Sequence, residues 1–282
     1  MQSSQIETRA NTLKVPGAKL YYEVQGSGPV LLMIPGGPAD AGIFTTLAGL
    51  LAGSSTTVRY DPRGNSRSVL DGPPQDQDMD LHGDDAARLL AVFGSEPAYV
   101  LGSSGGAQIG LNLAARHPQR VHTLVAHEPP CIPLLPNAEE HDRFANHVDE
   151  AYRASGAGAA MQKFLALTGI GAGRKPENAV PPPPELRESY GRMQGNLDYF
   201  FAHGFKPISL FVPDVATLRA GAPRIVIGVG ETSAGQVAHR TAVALAERLG
   251  VQPVVFPGGH GGYNDLPPEF AEKLREVLSG SA

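Results

Sequence analysis

The chain of 282 residues reads as an α/β protein, with a mainly parallel, doubly wound sheet and one helical insertion. Three observations predict this. Short apolar runs alternate with amphipathic stretches, the rhythm of strands that cross over through helices into a sheet covered on both faces. The run Pro-Val-Leu-Leu-Met-Ile-Pro at 29–35 is continuously apolar, as a strand buried on both faces must be. The rhythm also stops between 132 and about 216 and then resumes, which marks an insertion within one domain.

The elements follow in order. Residues 19–26 (KLYYEVQG) alternate like a strand and end in Gly, and 29–37 form the buried strand closed by Pro-Gly-Gly. Residues 56–61 are a further short strand, and 80–94 have helical spacing with a terminal Gly. The strand at 98–102 leads into a helix over 106–118 that ends at His-Pro, and the stretch VHTLVAHEPP at 121–130 is a strand that becomes ionisable at its end. The segment 132–216 carries amphipathic helical stretches and the proline run 181–184. A strand over 223–230, a helix over 236–250, a strand over 251–259 and a helix over 267–280 complete the pattern. The expected division is a core of 1–131 and 217–282 with a cap of 132–216.

Composition narrows the function. Net charge is -5 and the pI is near 6.0, which argues against a nucleic-acid or anionic-membrane partner. The single cysteine, Cys131, excludes an internal disulfide and a zinc site built from cysteines. The first 17 residues lack the apolar core of a secretory signal, and no apolar run is long enough to span a bilayer. The expectation is a cytoplasmic protein with no cofactor and no metal.

The most specific motif is Gly102-Ser103-Ser104-Gly105-Gly106, a G-x-S-x-G sequence directly after a strand and before a helix. A serine on so tight a turn has strained backbone angles and needs small neighbours. The helix that follows points its positive end at the site, where an oxyanion would develop. Ser104 is the expected nucleophile. A serine needs a base, and His260, in the Gly-rich loop between the last strand and the last helix, has the position and chain order for it. The oxyanion hole needs two backbone N–H donors: Gly105, after the nucleophile, and Gly37, in the loop Ile-Pro-Gly-Gly-Pro. The other eight histidines lie on helices, on strands or in the insertion, where structural roles suffice; His127 has no assigned role.

These residues carry a resemblance. PGGP at 35–38, DPRGNSRS at 61–68, GSSGGA at 102–107, HPQRV at 117–121 and GGH at 258–260 are similar to motifs of the α/β-hydrolase superfamily, from about residue 15 to the C-terminus. The resemblance implies the α/β-hydrolase fold. Two positions depart from the common pattern: Pro35 stands where many members have His, and Ser66 where many have Gly. The family's usual triad acid is an Asp after the strand corresponding to 223–230, and here that position is Ser233. Glu231 is the local substitute. Glu128 is the alternative from the neighbouring strand, because adjacent strands lie about 4.8 Å apart and Glu is one methylene longer than Asp. Pro129 is expected to hold Glu128 extended. The arrangement resembles the fungal zearalenone lactone hydrolases, which pair a CSSGA elbow with an acid in HELP; the matches here are GSSGGA and AHEPP. Glu128 therefore ranks ahead of Glu231, and both stay open.

The leading expectation is a serine hydrolase of a small, apolar carboxylic ester or lactone. C–C bond hydrolysis and perhydrolysis use the same residues, and a non-catalytic, receptor-like homologue is an expectation of another class. A nucleotide-binding oxidoreductase ranks low, because GVGETSAG lacks the third glycine of G-x-G-x-x-G. Substrate preference is expected to come from the insertion, with Leu134, Leu135, Met193, Tyr199, Phe200 and Phe201 as candidate lining. Nothing in the sequence bears on the oligomeric state.

Overall fold

The computed structural model describes residues 6–171 and 182–280; residues 1–5, 172–181 and 281–282, which include Pro181 of the proline run, lie outside them. The chain begins with β1 (Thr8–Val15), β2 (Ala18–Gln25) and β3 (Val30–Ile34), then a 3-10 turn at Ala41–Phe44. It continues through α1 (Thr45–Leu51), β4 (Thr56–Tyr60), β5 (Val69–Leu70), α2 (Met79–Ala91), β6 (Ala98–Ser103), α3 (Gly105–Arg116) and β7 (Val121–His127). Before the next strand the described residues form α4 (Ala138–Thr168), α5 (Pro184–Gly195), α6 (Leu197–Tyr199), a π-helical turn at Phe200–Gly204, α7 (Phe205–Ser209) and α8 (Val215–Ala220). The chain ends with β8 (Arg224–Gly230), α9 (Val237–Leu249), β9 (Val254–Phe256), α10 (Gly262–Asp265) and α11 (Pro267–Leu278).

The strands form one sheet in the order β1-β2-β4-β3-β6-β7-β8-β9, with β5 on β2. From β4 to β9 every pairing is parallel, while β1, β2 and β5 pair antiparallel. Side-chain alternation explains the two-faced core. Leu32, Ile34, Val100, Leu124, Ala126 and Ile227 pack toward α2, α3 and α9. Their chain neighbours Leu31, Met33, Leu101, Val125 and Val226 pack toward α1 and α11. Each fully buried Leu or Phe contributes about 1.5–3 kcal/mol, so the central strands hold the site on a rigid base.

Three differences from the sequence reading have simple causes. β1 has an almost wholly exposed, polar pattern, so it carries no apolar signal; a turn at Pro16-Gly17 pairs it with β2. The last strand is only three residues long, because its flanks leave the ladder. Between His260 and the last helix the chain inserts the short α10.

Register sets the site. In the β6–β7 ladder Ser103 pairs with His127, and in the β7–β8 ladder His127 pairs with Gly228. Ser104 and Glu128 therefore leave adjacent strands at the same level, at the carboxyl end of the sheet, where ligands of open α/β sheets bind.

Candidate active site

Ser104 follows β6 directly and has φ 55° and ψ -126°, a left-handed conformation that costs a non-glycine residue about 1–3 kcal/mol. Its neighbours hold it there. The Ser104 amide donates to the carbonyl of His127 at 2.9 Å, and its own carbonyl accepts from Ala107 N at 2.9 Å as α3 begins. A Cβ on Gly102 would stand 2.3 Å from the Gly106 carbonyl oxygen, so the motif glycines are required by close approach. A Cβ on Gly36 would stand 2.7 Å from Ser104 Cβ, so the Pro-Gly-Gly loop after β3 packs directly on the elbow. Gly37, at φ 55°, puts its amide nitrogen 3.2 Å from where a Gly105 Cβ would be. The two amides expected to donate to an oxyanion are thus side by side at the amino end of α3.

Of the two carboxylates weighed, the one beside His260 is Glu128, at the end of β7. His260 Nδ1 bonds to Glu128 Oε2 at 2.7 Å. Glu231 is exposed and lies outside this contact. Glu128 is fully buried, and its other oxygen accepts from Gly230 N at 2.9 Å and from the hydroxyl of Ser233. Burial alone would push its carboxyl up; the His260 bond, the charges of His260 and His127 and the Ser233 bond outweigh it and bring it down to about 2. Glu128 is therefore an ionised acceptor near neutral pH, so His260 carries its proton on Nδ1 and leaves Nε2 free to accept one.

One sequence expectation about this corner needs correction. Glu128 is not extended: it sits at φ 50°, because its amide still bonds to the Gly228 carbonyl at 2.9 Å while its side chain turns back over the end of β8. Pro129 biases the residue before it toward extended backbone, and the bonds made by the Glu128 amide and carboxylate hold it at positive φ against that bias. Ser233 also takes part in this corner, because its hydroxyl donates to Glu128 Oε1.

His127 is fully buried, and among the described residues neither ring nitrogen has a hydrogen-bond partner. Phe256, Tyr263 and Phe270 surround it edge-on, at centroid distances of 5.7, 6.4 and 5.4 Å. Burial pushes its pKa down to about 4 from 6.5. The unfolded chain takes the proton near pH 6.5, the folded chain only near 4, so stability falls as pH drops through that window, by roughly 3 kcal/mol in all. Leu is similar in volume and has no polar atom to leave unpaired. We expect His127→Leu to flatten the pH dependence of stability between 4 and 6.5, read by urea unfolding at several pH values; an unchanged slope would assign it to other groups.

A cavity of about 300 Å³ opens at this point, lined by Gly36, Gly37, Ser104, Gly105 and His260 at its base. Its walls are largely apolar and come from the segment between β7 and β8 (Phe144, Met161, Phe164, Leu165, Met193, Phe200, Ile208) and from α9 (Val237, Ala238). Of the candidate lining, Met193 and Phe200 face the cavity. Leu134, Leu135, Tyr199 and Phe201 do not. Leu134 and Leu135 are buried just after β7, Phe201 stacks on Tyr152, and the Tyr199 ring packs against Gly64 beside a different cleft. The walls of α4 were missed because in a helix of mixed composition the cavity-facing residues share the spacing of ordinary core residues. Among the described residues, no helix is long and apolar enough to cross a membrane.

Comparison with known proteins agrees with this geometry. Residues 29–175 match the family model described as alpha/beta hydrolase fold. A Bacillus subtilis protein named as an uncharacterized hydrolase, YraK, is 36% identical over 273 residues, 95% of each chain. The zearalenone hydrolase of Cladophialophora bantiana is 33% identical over 127 residues, 43% of this chain and 47% of that one. Among solved structures, a thermophilic esterase from Thermogutta terrifontis superposes with a TM-score of 0.74 at 20% identity, covering 97% of this chain and 98% of that one. With the elbow at Ser104, the parallel sheet beneath it and these relatives in place, the chain belongs to the α/β-hydrolase family and is a hydrolase.

Proposed function

We propose that this hydrolase cleaves a small, apolar carboxylic ester or lactone through an acyl-enzyme on Ser104. The observation that carries the reading is the 2.7 Å bond from His260 to the buried, ionised Glu128, at the base of the cavity that Ser104 also lines. His260 Nε2 takes the hydroxyl proton as Ser104 Oγ bonds to the substrate carbonyl carbon, and the carbonyl electron pair moves onto oxygen as an oxyanion. Gly37 N–H and Gly105 N–H stabilise that charge, with the amino end of α3 behind them. The oxyanion collapses, the C–O bond to the alcohol breaks, and the leaving oxygen takes the proton from His260. Water then gives a proton to His260 as its oxygen bonds to the acyl carbon; the second oxyanion collapses, the acyl–Oγ bond breaks, Oγ takes the proton back from His260, and the carboxylic acid leaves. With a lactone, the alcohol stays joined to the acyl chain. Glu128 holds the histidine tautomer and stabilises the imidazolium.

Residues 132–216 serve as the cap in this reading, and Met193 and Phe200 as substrate contacts. The apolar walls favour an uncharged substrate, and the zearalenone hydrolase among the relatives adds weight to a lactone. The test is an activity screen over aryl esters, aromatic lactones, peresters and β-diketones. Turnover of esters or lactones well above that of peresters and β-diketones is expected. A preference for peresters or C–C substrates would move the reaction class, and no turnover of any of them by folded protein would favour a binding-only homologue.

A further inference from the structure

The loop that presents Gly37 has no regular hydrogen bonding of its own beyond the bond from Ala39 N to Gly36 O at 3.1 Å. Yet its three consecutive carbonyls are each bonded by a side-chain amide. Asn65 Nδ2 donates to the carbonyls of Gly37 and Ala39, both at 3.1 Å. Asn196 Nδ2 donates to the carbonyl of Pro38 between them, at 2.8 Å. Asn65 comes from the loop after β4 in the core, and Asn196 from the end of α5 in the insertion. We propose that Asn65 and Asn196 are positioning residues that clamp the oxyanion loop from opposite sides and set the direction of the Gly37 N–H.

Several features fit a clamp rather than general packing. Asn65 is 1% exposed, and its Oδ1 has no partner among the described residues. A buried unpaired acceptor costs about 1–3 kcal/mol, so an amide kept here is kept for its donor side. Asn196 has both faces used: Oδ1 accepts from Ser66 N and Nδ2 donates also to Ser66 Oγ, each at 2.8 Å. Ser66 sits at φ 50°, which accounts for the glycine common at this position in the family and gives Asn196 a strained turn to hold as well. Further along the loop, α5 grips Asp40, which is fully buried: Ser189 Oγ donates to Oδ1 at 2.6 Å and Arg192 Nε to Oδ2 at 2.5 Å. Gly37 itself needs this support, because a glycine at positive φ is free to adopt many other conformations.

The clamp joins two jobs on one helix. Tyr190 and Met193 of α5 line the cavity, while Ser189, Arg192 and, at its end, Asn196 hold the loop. A substrate that seats against α5 therefore presses on the element that aims the oxyanion donor. Only interactions that strengthen in the transition state raise kcat, so a misaimed Gly37 N–H lowers kcat and leaves ground-state binding nearly intact.

The inference rests on the serine-hydrolase reading, and the test separates the two. Wild type, Asn196→Asp, Asn196→Ala and Asn65→Ser are compared, with Met193→Ala as a pocket variant on the same helix. Each is assayed for kcat and KM, and for inhibition by an apolar trifluoromethyl ketone and by the matching secondary alcohol. The ketone forms a tetrahedral oxyanion adduct; the alcohol does not. In the Asn variants kcat should fall about 10- to 100-fold, with KM and the alcohol within about twofold of wild type. The ketone should weaken in step with kcat/KM. Met193→Ala should weaken both inhibitors alike. Asn196→Asp keeps the acceptor for Ser66 N, and Asn65→Ser tests the clamp from the core side should the cap-side variants unfold. If ketone and alcohol shift together in the Asn variants, or neither shifts, the clamp is wrong. If wild type fails to prefer the ketone over the alcohol, the oxyanion-hole reading itself falls, and the clamp with it.

Discussion

Ser104→Ala lowers ester or lactone turnover by about 10⁴-fold or more, while KM, where still measurable, and the thermal midpoint stay near those of wild type. The size of the loss follows from the chemistry. Without the hydroxyl no acyl-enzyme forms, and the remaining oxyanion donors can only assist direct attack by water, a residual of about 10³–10⁴ over the uncatalysed rate. The fold should tolerate the change, because Ala is smaller and the left-handed turn at 104 is held by backbone bonds from Ala107 N and to His127 O. Steady-state kinetics and a melting curve on the same preparation check both halves. Turnover retained within tenfold would remove Ser104 from the reaction.

Glu128→Gln lowers kcat by about 10³- to 10⁴-fold, and Glu231→Gln changes it less than about threefold. The contrast comes from what each carboxylate touches. Glu128 is fully buried and bonds to His260 Nδ1 at 2.7 Å, whereas Glu231 is exposed. A glutamine at 128 is close to isosteric but neutral. It can offer its NH₂ to Nδ1, which turns the ring to the wrong tautomer, and it no longer stabilises the imidazolium. pH sharpens the contrast. The Glu128 carboxyl is held down at about 2, so it stays charged across the working range and its stabilising contribution is lost only as pH falls from the ordinary value of 4.5 toward 2. The acid limb of the rate profile above pH 4 should therefore belong to a group other than Glu128. Equal losses in the two variants, or a larger loss in Glu231→Gln, would move the acid to the end of β8.

The legible part of the molecule was the part written in local pattern. The continuous apolar run before Pro35, the strand–GSSGG–helix sequence and the Gly-rich loop at His260 each depend on neighbours in the chain, so they could be read directly. The parallel sheet followed from the alternation of elements. What stayed hidden depends on register and on side chains meeting across the fold. No local signal marks Ser233 as a donor to Glu128, because that contact needs β7 and β8 aligned with His127 opposite Gly228. The left-handed turn at Glu128 was masked by a proline rule that speaks only of preference. His127 looked like a polar end to a strand, and is a neutral ring in an aromatic box. Met161, Phe164 and Ile208 line the cavity, yet in sequence they are ordinary apolar residues on helices. Asn65 and Asn196 are 131 residues apart and meet only at the oxyanion loop.

The central claim is a single relay from Ser104 through His260 to a Glu on the neighbouring strand, and its most direct test is the rate of phosphonylation. Wild type, Glu128→Gln and Glu231→Gln are treated with an alkyl fluorophosphonate, the second-order rate constant is measured, and the modified peptide is mapped by mass spectrometry. One adduct is expected, on Ser104, formed at wild-type speed in Glu231→Gln and at least about 10³-fold more slowly in Glu128→Gln. An adduct on another residue, or labelling of Ser104 that slows with the loss of Glu231 and not of Glu128, would contradict it.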